Sequence, residues 1–375
     1  MDSSNIKVSV VIPVYNAYDY LRPAMDSVIG QTLSEIEIIL IDDGSTDHSL
    51  DIIKSYQAQD ERVRIVTENN AGVSVARNKG LIRARGEYII FLDADDFFEP
   101  DLLLKLYNTA KSQDLDIAVA KFDFYNNKSS KFTPQIEEAH GNIFSPGAVV
   151  SKSEYPDYIL QSTTGYVWNK MFKTSFVRDK ELTFAPELYV FEDVHFVCTA
   201  LSLAERVGRI DDVLVHHRIY SDQSRSKLFK KYYAQVPVVY MKVKEFLTQH
   251  GMYIPLSRSF LNFSVDRCYK IYNLLWSDVK ADFWDILHAG YADSLGWFQH
   301  ESGDFESEEL CDFAVNVGLY EHKVYEKRRE RGRKIKAEKV TTPWLKKHLK
   351  SAKALEKTKG FFSKIGSLFK RKKKK

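Results

Sequence analysis

Val8-Ser-Val-Val-Ile-Pro-Val-Tyr15 is a β-branched run with no charged residue in it. Such a run is apolar on both faces of a strand, so both faces must be covered. That is the condition of a central strand in a parallel sheet sandwiched between helices. Ile36-Glu-Ile-Ile-Leu-Ile41, Val63-Arg-Ile-Val66 and Tyr88-Ile-Ile-Phe-Leu92 repeat the theme, and helical periodicity fills the gaps at about 18–31, 48–59 and 73–84. Strands alternating with helices imply an α/β, doubly wound, mostly parallel sheet. Ligands of such sheets bind beyond the carboxyl ends of the strands. Polar clusters stand there: Asp42-Asp-Gly-Ser-Thr-Asp47, Glu68-Asn-Asn-Ala-Gly72 and Asp93-Ala-Asp-Asp96.

The sharpest cluster is the last, three carboxylates directly after a strand. Carboxylates so crowded repel one another unless a positive group stands among them, and hard divalent cations prefer such oxygen ligands. A helix cap supplied by Asp95 or Asp96 is the plainer alternative.

Four segments then occur in order: Val8-Ser-Val-Val-Ile-Pro-Val-Tyr-Asn16, Ile41-Asp-Asp-Gly-Ser-Thr-Asp47, Gly72-Val-Ser-Val-Ala-Arg-Asn-Lys-Gly80 and Gly86-Glu-Tyr-Ile-Ile-Phe-Leu-Asp-Ala-Asp-Asp96. Their succession closely resembles the family 2 inverting glycosyltransferases of the GT-A fold, across roughly residues 6–226 and densely through Asp96. The resemblance implies a nucleotide-diphosphate sugar donor (a UDP-sugar in most members), a divalent cation (Mn²⁺ or Mg²⁺) and inversion at the anomeric carbon. By position, Pro13 and Tyr15 line the base pocket, Asp43 reads the uracil imide, and Arg77 and Asn78 lie near base and phosphates. The resemblance likewise has Asp93 contacting the ribose or the cation's water shell, and Asp95 serving as the direct metal ligand.

The family's acidic pair matches Phe191-Glu-Asp-Val-His195, which makes Asp193 the general base, with Glu192 in support. Trp168, in Val167-Trp-Asn-Lys-Met-Phe172, is either an acceptor-stacking residue or plain core. In His216-His-Arg-Ile-Tyr-Ser-Asp-Gln-Ser-Arg-Ser226, Arg218, Ser224 and Ser226 match residues that fold over the diphosphate, and His216 or His217 is placed to reach the cation or a phosphate. The interval from Arg218 to Ser224 is one residue longer than the family pattern, and Tyr220 stands where a polar ligand is expected.

Domain organisation follows. Residues 1–227 form the catalytic domain and 228–339 a mainly helical accessory domain, whose aromatics, among them Tyr272, Trp276, Trp284 and Trp297, are expected to be core. Residues 340–375 form a basic amphipathic tail. From Lys334 onward there are 16 Lys/Arg against two acids, whereas the remainder carries 38 basic and 49 acidic residues. Trp344, Leu345, Leu349, Ala352, Leu355, Phe361, Phe362, Ile365, Leu368 and Phe369 recur at helical spacing beside the lysines. An apolar face flanked by lysines suits an anionic membrane surface, and without a nucleic-acid-binding fold, nucleic acid is not expected as a partner.

Cys198, Cys268 and Cys311 are too few and too scattered for a disulfide framework or a structural zinc site. No signal peptide and no uncharged apolar run of membrane-spanning length is evident. The expected location is cytoplasmic, on the inner face of the cell membrane. Two rivals compete with a transferase acting on a glycan or lipid-linked acceptor in surface-polysaccharide synthesis (capsule, teichoic acid or lipopolysaccharide type). A nucleotidyltransferase needs a glycine-rich loop after the first strand, but Val14-Tyr-Asn-Ala-Tyr-Asp-Tyr20 has no glycine. A non-catalytic glycan- or lipid-binding protein on the same scaffold has no need of Asp43, Asp93, Asp95 and Asp193 together. Sugar identity, linkage, processivity and oligomeric state are not encoded in these motifs.

Overall fold

The structure is a computed structural model that describes residues 6–135, 143, 147–219 and 231–330. The described residues up to 219, with 249–256, form one compact unit; 231–248 with 257–330 form a second. Ser224, Ser226, Tyr220 and the basic tail fall outside the described residues.

The first unit opens with the alternation that the apolar runs dictate. Strand β1 (Val8–Val14) leads to α1 (Leu21–Ile29), β2 (Ile36–Asp42) to α2 (Ser49–Gln57), and β3 (Val63–Thr67) to α3 (Val73–Arg83). β4 (Tyr88–Phe91) is followed by a two-residue strand, β5 (Phe97–Phe98), and α4 (Leu102–Ser112). Then come β6 (Ile117–Asn126), β7 (Lys131–Pro134), β8 (Val149–Val150), β9 (Lys170–Lys173), α5 (Thr174–Asp179), α6 (Glu192–Leu203) and β10 (Val207–Ile219).

One sheet runs β3-β2-β1-β4-β9-β6-β10-β5, with β7 on β6 and β8 on β10. β3, β2, β1 and β4 are parallel, as are β6 and β10. β9 enters antiparallel between β4 and β6, and β5 pairs antiparallel with β10 at Phe98–Val215. Alternate residues of each strand serve different layers. Val8, Val10, Ile12, Ala118, Ala120 and Phe122 join the core with α1 and α4. On the other face Phe91, Phe172, Phe184 and Phe196 close edge-on or stacked on one another.

In the second unit, helices Val236–Gln249, Ser257–Leu274, Ser277–Ile286 and Glu308–Leu319 bury Tyr272, Trp284 and Trp297. The indole N–H groups are satisfied inside, Trp284 donating to the Tyr320 carbonyl at 2.8 Å and Trp297 to Ser264 Oγ at 2.9 Å. These rings are core, as expected, whereas Trp276 is exposed. All three cysteines are free and buried. Among the described residues no helix is long and apolar enough to cross a membrane.

A buried carboxylate fastens the end of the sheet away from the polar clusters. Glu37, 2% exposed, accepts from Ser9 Oγ at 2.7 Å and Arg85 N at 2.6 Å through one oxygen. Its other oxygen accepts from Arg64 Nη1 at 2.7 Å and Arg85 Nε at 3.1 Å. Burial opposes ionisation, but these donors together hold the carboxyl below its ordinary value. A depressed folded pKa means that the stabilisation is present above the unfolded value of about 4.3 and is lost as pH falls through the folded value. Glu37→Ala leaves the Ser9 hydroxyl without its acceptor and removes the carboxylate that Arg64 and Arg85 share, and should lower unfolding free energy by about 3 kcal/mol at pH 7. Urea denaturation at pH 7 and pH 3 checks this, with the difference between wild type and variant shrinking at the lower pH.

Candidate functional site

Four loops meet at the carboxyl ends of β1, β2 and β4, around a cavity of about 560 Å³. Pro13 and Tyr15 from β1, Asp43 after β2, Gly72 and Ala76 of the α3 entrance, and Asp93 and Asp95 after β4 line it. Asn16 builds the rim from a left-handed conformation (φ 50°). Its Oδ1 accepts from Thr46 N at 2.8 Å, and its own amide donates to Ser45 Oγ at 3.2 Å. The β1 and β2 loops are thereby braced before any ligand arrives.

Asp43 is buried, and each oxygen already takes a backbone amide, Ala71 N at 2.7 Å and Gly72 N at 2.9 Å. A carboxylate oxygen accepts two hydrogen bonds, so the lone pairs left over can still meet a donor in the cavity. The next residue, Gly44, has φ +74°, and a Cβ there would lie 2.8 Å from Asn70 N. Only glycine makes this turn without strain.

Arg77 and Asn78 differ from expectation. Neither lines the cavity, because α3 presents Gly72, Val73 and Ala76 to it and turns the following residues inward. Asn78 is a clamp: its amide nitrogen donates to the Phe184 carbonyl and its oxygen accepts from Phe184 N, both at 2.8 Å. Arg77, 3% exposed, donates to Asp93 Oδ1 at 2.6 Å and to Glu192 Oε1 at 2.7 Å. Its guanidinium also sits 5.3 Å from the Phe184 ring centre. Burial alone would discourage the charge, but Asp93, Glu192 and Asp193 hold the guanidinium firmly protonated, above its ordinary pKa.

Through Arg77 the Asp93 wall of the cavity is tied to the acidic pair. Glu192 and Asp193 begin α6, and the residue before them, Phe191, adopts φ 57°, an uncommon conformation for an aromatic residue. Burial and the adjacent Glu192 push the Asp193 carboxyl up to about 7, against the pull of Arg77 and of Val194 N, which donates to it at 2.8 Å.

The three carboxylates after β4 divide their work. Asp93 and Asp95 face the cavity, whereas Asp96 is wholly buried. Asp96 accepts from Arg218 N at 2.8 Å and lies 2.9 Å from His217 Nδ1. It is not a helix cap; the residue preceding α4 is Asp101. Burial drives Asp96 up to about 7. For His217 burial works against the charged ring, but Asp96 outweighs it and raises the imidazole. The histidine stacks on Trp168 at 5.0 Å between ring centres, and Trp168 is 2% exposed. Trp168 is therefore core and His217 a brace. His216 is held by Asp123 at 2.6 Å and Glu99 at 2.9 Å. Arg218 Nε donates to the Asp95 carbonyl at 2.7 Å, and its guanidinium lies 5.1–5.6 Å from the rings of Tyr20, Phe97 and Tyr125.

Sequence reasoning passed over Asp96, Asn16 and Phe191 as positioning residues. The hint for Asp96 was its place before Phe97-Phe98, whose pairing with β10 brings His217 and Arg218 alongside. Asp93 and Asp95 offer oxygen and no sulfur or nitrogen. Among the described residues no cluster of three His, Cys, Asp or Glu could hold a metal unaided. Such a donor set fits a hard cation that keeps waters and takes phosphate oxygens, Mg²⁺ or Mn²⁺, rather than a caged one.

Comparison with known proteins agrees with this arrangement. The family model for glycosyl transferase family 2 matches residues 9–179. The glycosyltransferase EpsH of Bacillus subtilis is 30% identical over 247 residues, 65% of this chain and 70% of that protein. A poly(ribitol-phosphate) beta-glucosyltransferase of Bacillus spizizenii is 28% identical over 265 residues, 68% of this chain but 40% of its own length. The crystal structure of S. aureus TarS 1-349 in complex with UDP-GlcNAc shares the fold, with TM-score 0.66 at 20% identity over 87% of this chain and 92% of that one. The α/β sheet with its helical second unit thus has the GT-A architecture, and the chain belongs to glycosyltransferase family 2.

Proposed function

We propose that the enzyme transfers a sugar, with inversion, from a UDP-sugar to a hydroxyl of a glycan or lipid-linked acceptor in bacterial surface-polysaccharide synthesis. The observation that carries this reading is the Asp93–Arg77–Glu192 bridge, which couples a nucleotide-sized cavity to a carboxylate, Asp193, raised to about 7. A base is most useful when its pKa lies near the working pH. Asp193 takes the proton of the acceptor hydroxyl, whose oxygen attacks the anomeric carbon as the diphosphate departs from the opposite face. Pro13 and Tyr15 bracket the base, and Asp43 reads its imide. Asp95, aided by Asp93, would hold a divalent cation, which as a Lewis acid neutralises charge developing on the leaving diphosphate. The poly(ribitol-phosphate) beta-glucosyltransferase, which acts on a polymer, lends support to a glycan or related polymer as acceptor. A non-catalytic binder is disfavoured, since it would have no reason to keep a raised carboxylate beside a clamped arginine.

The base is active when deprotonated, so kcat/KM should rise with pH through about 7 and level off above it. Asp193→Asn should remove transfer by about 10²–10⁴. Because a raised folded pKa penalises the ionised form above the unfolded value of about 3.9, the same variant should melt no lower than wild type at pH 8. Retained transfer in the variant sinks the assignment.

Calorimetric titration with UDP-sugars, with and without Mn²⁺, tests the cation site. Binding should strengthen with the metal in wild type and lose that dependence in Asp95→Ala. Metal-independent binding in both would move the cation chemistry away from Asp95.

The tail at 340–375 is proposed to hold the enzyme on the anionic inner leaflet, a residence suited to lipid-linked acceptors. Chain ended at Val340 should no longer co-sediment with phosphatidylglycerol vesicles. Equal sedimentation of the two forms would refute the anchor.

A further inference from the structure

A second cavity, about 340 Å³, opens along β6. Five consecutive residues of β6, Val119 to Asp123, run along it. Ser162, Thr164, Asn169 and Val213 complete the wall relevant here. Its volume falls in the lower part of the usual small-molecule range of about 300–1,000 Å³.

Three features of this cavity are unexplained by the donor site. Thr164 is 7% exposed, yet its hydroxyl has no hydrogen-bond partner. Most buried hydroxyls find one, so this side chain at the cavity wall has a hydrogen bond still to make. Lys170 is wholly buried, and its ammonium donates to the carbonyls of Thr164 at 2.8 Å and Tyr166 at 2.7 Å and to Asn169 Oδ1 at 2.8 Å. A buried charge of this kind is tolerated only when fully bonded, and what it does here is fix the loop carrying Thr164. Gly165, inside that loop, lies so close to α6 that a Cβ would come within 2.7 Å of Val194 Cγ2 and 3.4 Å of Val194 Cα. The loop that forms the cavity wall therefore rests on the residue after Asp193.

The chemistry of the wall selects the ligand class. Lys121 and Arg209 share the Asp211 carboxylate at 3.1 Å each, and Asp123 pairs with His216 at 2.6 Å. With both signs already matched, the cavity favours a neutral ligand over a phosphate. Hydroxyl and amide groups beside the aliphatic surface of Val119 and Val213 suit a molecule with hydroxyls at its rim and C–H groups on its face. We propose that this cavity seats a neutral sugar ring of the acceptor, adjoining the ring whose hydroxyl is deprotonated by Asp193. The assignment rests on the reading of the enzyme as a glycan-acting transferase, and it identifies Thr164 as a specificity residue for the acceptor.

Saturation-transfer NMR on the full chain, with methyl β-glycosides of glucose, galactose and N-acetylglucosamine and their β-linked disaccharides, tests this. Val213 is 45% exposed, so Val213→Trp fills the cavity mouth without disturbing the core. At least one glycoside should bind wild type, and Val213→Trp should weaken it at least about tenfold, a penalty of one hindered contact. Thr164→Val should weaken it about fivefold, the worth of one hydrogen bond, without lowering Tm, because no internal bond is lost. UDP affinity, measured calorimetrically, should be the same in all three proteins. Undiminished glycoside binding in Val213→Trp overturns the proposal, as does failure of every glycoside to bind wild type. Failure of UDP to bind would count against the donor site alone, and the glycoside result would still decide the cavity.

Discussion

The arrangement depends on one buried guanidinium. Asp93, Glu192 and Asp193 come from a strand end and a helix start about a hundred residues apart in sequence, and each repels the others. Arg77 makes their convergence tolerable by bonding Asp93 and Glu192 with different nitrogens. A lysine would supply the charge as a single point, without the planar fork that spans two carboxylates. Glu192 and Asp93 are neutralised by direct contact. Asp193 lacks such a contact, and burial beside Glu192 leaves it with a raised pKa. Adjacent residues in the chain, Glu192 and Asp193, thus acquire unlike surroundings from geometry alone.

Around that bridge the loops are held by bonds between their own atoms. Asn16 fastens the β1 loop to the β2 loop, Asp43 fastens the β2 turn to the entrance of α3, and Asn78 fastens α3 to Phe184. Asp96 fastens the β4 turn to β10. A site braced in this way loses little freedom when a ligand arrives, which is the condition for tight positioning.

How much of this was legible in the sequence depended on the range of the interaction. β1 to β4 were readable because a strand covered on both faces must be apolar throughout, and the polar clusters at their ends located the cavity with Pro13, Tyr15, Asp43, Asp93 and Asp95 on it. Arg77 was legible as important but not as to direction. Helical spacing gives the angle between Ala76 and Arg77, while the partners that draw Arg77 inward come from β4 and α6. The destinations of His216 and His217 depended on β5, two residues long and too short to leave a pattern, pairing with β10. Thr164 left no trace at all, since a buried hydroxyl is recognised only by the partners it lacks.

Several unfavourable local terms meet at the start of α6 and the loop packed on it. Phe191 holds a left-handed backbone, Asp193 resists ionisation, Lys170 carries a buried charge and Thr164 buries an unmatched hydroxyl. Each departs from what stability alone would choose, by about 1–3 kcal/mol for the backbone conformation and for the hydroxyl. β1, β2 and β4 show no such departures: their apolar residues are almost wholly buried, and Glu37 at their far end is matched by four donors. Evenly spread strain would reflect indifferent packing. The same kinds of departure stand beside the first cavity, where Asn16 holds a left-handed backbone and Asp96 is a wholly buried carboxyl raised to about 7, so these costs recur at the loops rather than along the central strands.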